Sequence, residues 1–177
     1  YDFIKEAYGS RAQLLFTDTD SLMYEIQTED VYEDFAMAAD LFDFANFPRE
    51  SRFFNATNNK LVGKFKDEAS GSPIIDFVGL RPKMYSYLQL EDVVNGEKEV
   101  KEKHRAKGIQ RAASRVLRHQ NFREQLETPR ENYITNRRIG SKLHQLHSYQ
   151  TNKRGLCSFD DKRYLLDDGI STKAIGH

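Results

Sequence analysis

The chain has 177 residues, with 27 Lys or Arg balanced by 27 Asp or Glu, so its formal net charge is zero. This length suits one domain or two small ones. A single cysteine excludes an internal disulfide and any cysteine-rich zinc site, and it favours a reducing compartment. Without an apolar stretch of membrane-spanning length or a signal peptide, the sequence predicts an intracellular protein that is not secreted and has no membrane partner.

The zero net charge conceals an asymmetry along the chain. Residues 1–102 hold 11 basic and 20 acidic residues, whereas residues 103–154 hold 13 basic and 3 acidic residues. Charge blocks of opposite sign indicate parts with different partners. We therefore predict two domains, 1–102 and 103–177, of which the second binds a polyanion.

The first predicted elements are a helix end over residues 2–8, closed by Gly9, and a hairpin. Apolar runs at 14–16 and 22–26 predict two strands, with TDTD at the turn between them. Residues two apart in an extended chain project to one side, which brings the carboxylates of Asp18 and Asp20 together. Two close carboxylates disfavour each other's ionisation unless a cation is present.

This acidic pair has two interpretations. Magnesium accepts one or two carboxylates, with water and substrate phosphates completing its octahedron, so a rigid acidic tip fits phosphoryl transfer. Alternatively, Asp and Thr are ordinary turn residues that hydrogen-bond their own backbone. A calcium loop fits badly, because Met23 stands where that loop needs glycine and Leu22 where it needs an oxygen ligand.

Further along the acidic part, apolar spacing over residues 28–47 predicts a helix that ends before Pro48. Strands are predicted at 61–65, 74–78 and 83–90, and Asn95–Gly96 is a turn signal. The pattern indicates a core-facing helix beside a sheet, which places the chain in the α+β class.

The basic part opens with residues 103–123, which contain no acidic residue. Lys107, Arg111, Arg115 and Arg118 recur every three or four residues, as they would on one face of a single helix. We expect this face to contact phosphates; the alternative is a solvated surface helix. Residues 130–154 mix basic and aromatic side chains, which is typical of nucleic-acid surfaces. His144 and His147, three apart, would suit metal ligands if they lay on a helix, but with no carboxylate or thiol beside them a structural or phosphate-contacting role is favoured.

Three motifs resemble those of the family B DNA polymerases. The sequence FTDTDS at residues 16–21 resembles motif C of that family, and Lys83-Met84-Tyr85 resembles its K-x-Y motif. Residues 106–109 (AKGI) resemble the start of the thumb. The segments 63–68 (GKFKDE) and 160–172 (DDKRYLLDDGIST) are similar to polymerases of Polinton or Maverick transposons and related viruses, in the protein-primed branch. The resemblance covers essentially the whole chain.

The resemblance implies an antiparallel palm sheet with packed helices over 1–102, followed by a basic thumb of helices and strands. It implies two Mg²⁺ ions, with Mn²⁺ as the alternative, and a primer hydroxyl that attacks a deoxynucleoside triphosphate. Asp20 would bind the metals directly, and Asp18 would support it. The residues implied in contacts with primer–template DNA are Lys83, Tyr85, Lys107, Arg111 and Arg115. A terminal priming protein and a nuclear or viral replication site are also implied.

Some motifs of the family are missing from the chain, and other functions have to be compared with polymerase activity. Motif A, motif B and the proofreading exonuclease are not visible, so we expect a C-terminal fragment that does not polymerise DNA by itself. A DNA-binding remnant of a decayed transposon polymerase, without catalysis, is the alternative. A sugar transferase would not need the acid-free basic segment, and a reverse transcriptase needs adjacent aspartates, which Thr19 separates.

Overall fold

The computed structural model describes residues 2–92, 98–159, 162–167 and 171–176. It has the predicted α+β class, with mostly antiparallel sheets. The helices are α1 (Asp2–Tyr8), α2 (Val31–Met37), α3 (Arg111–Ser114) and α4 (His119–Glu127). The strands are β1 (Ala12–Asp18), β2 (Ser21–Ile26), β3 (Phe42–Asp43), β4 (Phe65–Lys66), β5 (Ile74–Arg81), β6 (Met84–Asp92), β7 (Lys98–Ala106), β8 (Tyr133–Lys142), β9 (Gln145–Arg154), β10 (Arg163–Leu165) and β11 (Thr172–Ala174). Within these described ranges, no helix is long and apolar enough to cross a bilayer.

Several predicted elements are confirmed. Helix α1 matches its prediction, and β1 pairs with β2 across a two-residue loop, as predicted for the acidic tip. Strands β5, β6 and β7 form a three-stranded sheet in that order. The Asn95–Gly96 turn lies outside the described residues, as do parts of the predicted motif at 160–172.

The described chain divides into two compact units that interleave along the sequence. The first comprises Tyr1–Leu14, Tyr24–Ile75 and Gln89–Lys101, and the second comprises Leu15–Met23, Asp76–Leu88 and Glu102–His177. Both polymerase-like motifs therefore fall in the second unit. The assignment of 1–102 and 103–177 to separate domains stays a prediction.

The first unit has an aromatic core that shortens α2. Phe42, Phe44 and Phe47 are buried, and Phe35 of α2 stacks on Phe42 with ring centroids 4.4 Å apart. The helix predicted over 28–47 is therefore confirmed only for Val31–Met37; a short 3-10 helix follows at Ala39–Leu41, and Phe42–Asp43 forms a parallel pair with β4 instead.

The strand predicted at 61–65 is also wrong for most of its length. Only Phe65 belongs to a strand, and the segment before it consists of turns in which the Val62 side chain is fully exposed. Short apolar runs do not specify a strand unless a partner strand and a buried face are available.

The second unit has its own core. Phe122 of α4 is completely buried and packs with the buried residues Val78, Leu80, Met84 and Leu156. Beside it, His119 contacts the Ser86 hydroxyl through Nδ1 at 3.0 Å and the Asp76 carboxylate through Nε2 at 3.1 Å. This core anchors α4 to the sheet that carries the K-x-Y motif.

The single basic helix predicted over 103–123 is wrong. Strand β7 continues to Ala106, and Gly108 then takes a φ of +100°, which a helix does not permit. Two short helices come after this glycine, so Lys107, Arg111 and Arg115 do not form one stripe. The helical setting predicted for His144 and His147 is wrong as well, because both lie in the β8–β9 hairpin.

Candidate active site

The site begins at the tip of the β1–β2 hairpin. Strand β1 alternates half-buried and exposed residues up to Asp18, and Thr19 and Asp20 form the loop. Thr19 has a φ of 61°, the sign that tight two-residue hairpin loops require at the first position. The loop leaves Asp20 exposed. In the described part of the chain, its carboxylate has no hydrogen bond or ion pair.

Asp18 is bound by a lysine that lies 65 residues away in sequence. The Lys83 ammonium donates to both Asp18 carboxylate oxygens, at 2.7 and 2.8 Å. These hydrogen bonds are the main cause of an Asp18 pKa below its usual value, and the Thr19 hydroxyl adds a weaker bond at 3.3 Å. Asp18 is therefore paired with a cation, whereas the Asp20 carboxylate contacts no cation among the described residues.

Aromatic rings hold the two motifs together beside this ion pair. The Phe16 ring of β1 lies 4.6 Å from the Tyr85 ring of β6 and 6.3 Å from the Phe77 ring of β5. Phe77 and Tyr85 are themselves 6.0 Å apart. Such tilted ring pairs add specific geometry to apolar burial, so the hairpin is fixed against the sheet by contact as well as by charge.

The position of Lys83 is set by its turn and by the end of β7. Lys83 has a φ of 61° in the two-residue connection between β5 and β6. Its carbonyl accepts a hydrogen bond from the Lys107 amide at 2.9 Å. Lys107 thus lies beside the predicted site residues. Arg111 and Arg115 are exposed in α3 and just after it, and no described contact joins their side chains to the hairpin tip.

The donors at the tip fit a divalent ion in part. Among the described residues, no group of three or more His, Cys, Asp or Glu side chains converges on one point. Carboxylate oxygens are nevertheless what Mg²⁺ takes from proteins, usually one or two of them, with water and substrate supplying the rest. Asp20 offers such a carboxylate directly, and Asp18, two residues earlier, is the second, although its two oxygens already accept hydrogen bonds from Lys83.

Sequence reasoning missed the Asp18–Lys83 pair. It assigned Lys83 to DNA, while the structure places the ammonium on the first aspartate of the acidic motif. The only signal available was the opposite charge of the two motifs, which does not by itself specify a contact. Whether Lys83 and Tyr85 also contact a primer stays a prediction.

The chain was compared with protein-family models, curated proteins and solved structures, and no match was found in any of the three. Its function is therefore inferred from the residues and their geometry.

Proposed function

We propose that this chain is a palm-and-thumb segment of a family B DNA polymerase of the protein-primed type, which adds deoxynucleotides to a primer end. The observation that carries the proposal is the contact between its two motifs. Lys83 of K-x-Y bonds both oxygens of Asp18 in DTDS, and Tyr85 packs on Phe16. If the two motifs were chance matches, nothing would require them to lie together.

Each residue then has a distinct role. Asp20 would hold the divalent ions that, when bound, supply Lewis-acid stabilisation to the reacting phosphate. Lys83 balances Asp18, which limits repulsion between the two carboxylates at the tip. The aromatic contacts keep the hairpin rigid, and rigid positioning is most of what phosphoryl transfer demands of a protein.

In this proposal the basic segment, residues 103–154, binds the nucleic acid. Residues 103–154 carry ten more basic than acidic residues, and most of the β8–β9 hairpin is exposed. Exposed cations in excess over acidic residues attract phosphates with a salt-dependent affinity. Primer–template DNA and deoxynucleoside triphosphates are therefore the proposed partners, and a terminal priming protein is the further one that the family implies.

The proposal is tested by neutralising Asp20 in a polymerase that contains this segment together with motif A. Asp20→Asn keeps the size of the side chain but removes a metal ligand, so nucleotide addition should fall by at least about a thousandfold. Binding of primer–template DNA, measured by fluorescence anisotropy, should stay nearly unchanged.

Glu25→Gln is the matched control, because Glu25 is an exposed acid on the same hairpin. It should leave nucleotide addition intact. Undiminished addition by Asp20→Asn would contradict the metal-ligand role. In that case this segment would contribute DNA binding but no metal ligand to the polymerase.

A further inference from the structure

A groove of about 500 Å³ lies in the second unit and shares no lining residue with the hairpin-tip site. Residues 108–110, residues 136–139 of β8 and Lys153 of β9 line it. Its volume falls within the range of small-molecule sites. It is thus large enough for one nucleotide.

Two buried polar atoms at the base of the hairpin have no partner in the described chain. Asn136 is 5% exposed, and its Oδ1 atom accepts no hydrogen bond. Thr151, the cross-strand neighbour of Asn136, has a buried Oγ1 that is also unpaired. Buried polar atoms normally form hydrogen bonds, and an unpaired one lowers the stability of the folded state. These two atoms are therefore expected to have a hydrogen-bond partner outside the chain.

Cations flank these atoms. In an antiparallel pair, directly opposed residues share a face, and so do residues two apart along a strand. By the observed register, Arg138 and Lys153 lie on the same face of the hairpin as Asn136. The lining contains no acidic residue. A ligand here would meet positive charge together with an acceptor that needs a donor.

We propose that this groove binds a nucleoside phosphate, either as a free nucleotide or as one unit of a nucleic-acid strand. The phosphate would pair with Arg138 and Lys153, and a base amino group or sugar hydroxyl would donate to Asn136 Oδ1. Guanidinium and ammonium groups both bind phosphate oxygens strongly. The proposal rests on the proposed function, since it names a second contact for that polymerase's substrates.

The test titrates the 177-residue chain with dATP by calorimetry and with a labelled oligo(dA) strand by fluorescence anisotropy. Arg138→Ala and Lys153→Ala should each weaken binding about tenfold, because each removes one charged contact. Lys142→Ala is the matched control, since it removes an equal charge from an exposed position on the same hairpin outside the groove. It should leave the affinity for dATP unchanged and should lower the affinity for oligo(dA) less than the groove variants do, because Lys142 contributes only to the general attraction of phosphates by the basic hairpin.

Asn136→Leu separates a ligand contact from a structural role. Leucine has nearly the same size and removes the unpaired acceptor, so the variant should bind more weakly while its free energy of unfolding does not fall. A variant that loses stability but keeps the affinity would overturn the assignment of Asn136.

The outcomes also distinguish the two sources of the ligand. Weaker binding of dATP by the groove variants supports a free nucleotide, and an effect confined to oligo(dA) supports a strand. Equal losses in Lys142→Ala and the groove variants would mean general charge attraction and would overturn the proposal, as would no loss at all. The titrations contain EDTA, which removes the divalent ions that Asp20 would hold, so failure here is separate from failure of the polymerase proposal, which is measured by nucleotide addition.

Discussion

Single charges decide what the hairpin tip can do. Asp18 and Lys83 are 31% and 42% exposed, so water screens their ion pair and its main effect is on charge rather than on folding. The lysine leaves Asp20 as the carboxylate that faces solvent without a cation partner in the described structure. The two aspartates of one motif thereby become chemically different.

The first prediction concerns the pKa of Asp18. Lys83→Met removes the principal cause of its depression, so the pKa should rise toward the ordinary carboxyl value, as followed by NMR titration of the side chain. A depressed pKa contributes stability above the ordinary pKa and loses it as the pH falls through the folded value. Because water screens the pair, the stabilities of variant and parent should differ only slightly at neutral pH and should converge in acid.

Lys107→Met is the control for this titration. Lys107 has only a weak Coulombic effect on Asp18, so its removal should raise the pKa less than Lys83→Met does. Equal shifts in the two variants would mean that the direct contact with Lys83 does not set the charge of the tip.

The second prediction concerns backbone strain at Thr19. A β-branched residue at a φ of 61° is unfavourable, and glycine adopts this conformation without cost. Thr19→Gly should therefore raise the free energy of unfolding by roughly 1 kcal/mol, as measured by urea denaturation. Thr17→Gly, made in the regular part of β1, should lower it instead. A loss of stability in Thr19→Gly would show that the threonine side chain contributes more than its strain costs.

At the scale of elements, the β8–β9 hairpin combines a regular ladder with an unusual loop. Ten residue pairs join the strands, from Tyr133↔Arg154 to Lys142↔Gln145. Leu143 and His144 form the connection with φ values of 50° and 60°. Positive values at both loop positions define the turn that prefers Asn-Gly, so this loop carries strain that its sequence does not relieve.

The third prediction replaces that loop. Leu143→Asn with His144→Gly should stabilise the chain by roughly 1 kcal/mol, because both residues then suit their backbone conformation. The measurement is the midpoint and slope of urea unfolding. The chain offers a matched control in Leu146→Asn with His147→Gly, the same two changes within β9, which should be destabilising. If both double variants respond alike, loop strain is not the determinant.

Over residues 103–123 the residue spacing favours one helix, but strand pairing determines the structure of the first residues. The basic and apolar repeats suit a helix locally, but residues up to Ala106 complete the β5-β6-β7 sheet, and the positive φ of Gly108 keeps the first helix from beginning before Arg111. Helix propensity is a weak preference that tertiary contacts override. The same conflict ended α2 at Met37, where burial of Phe42 outweighed continuation of the helix.

At the scale of the whole molecule, two separate cores predict two units of stability. Phe122→Ala removes a fully buried ring from the second unit and should cost about 3–5 kcal/mol. Hydrogen exchange followed by mass spectrometry should show lost protection across that unit, with the first unit largely protected. Phe42→Ala, made in the core of the first unit, should give the reverse pattern. Equal loss of protection throughout in both variants would mean that the chain unfolds as one cooperative body.

The sequence by itself predicts correctly those features that depend on interactions between neighbouring residues. These are helix α1, the β1–β2 hairpin with its acidic loop, and strands β5 and β6, because turn residues and alternating apolar runs act over a few neighbours. Tertiary structure alone decided the rest: the Lys83 contact with Asp18, the end of α2, the division of the basic segment, and the burial of Asn136. Each of these depends on residues far apart along the chain, whose meeting is set by packing and strand pairing that no local pattern encodes.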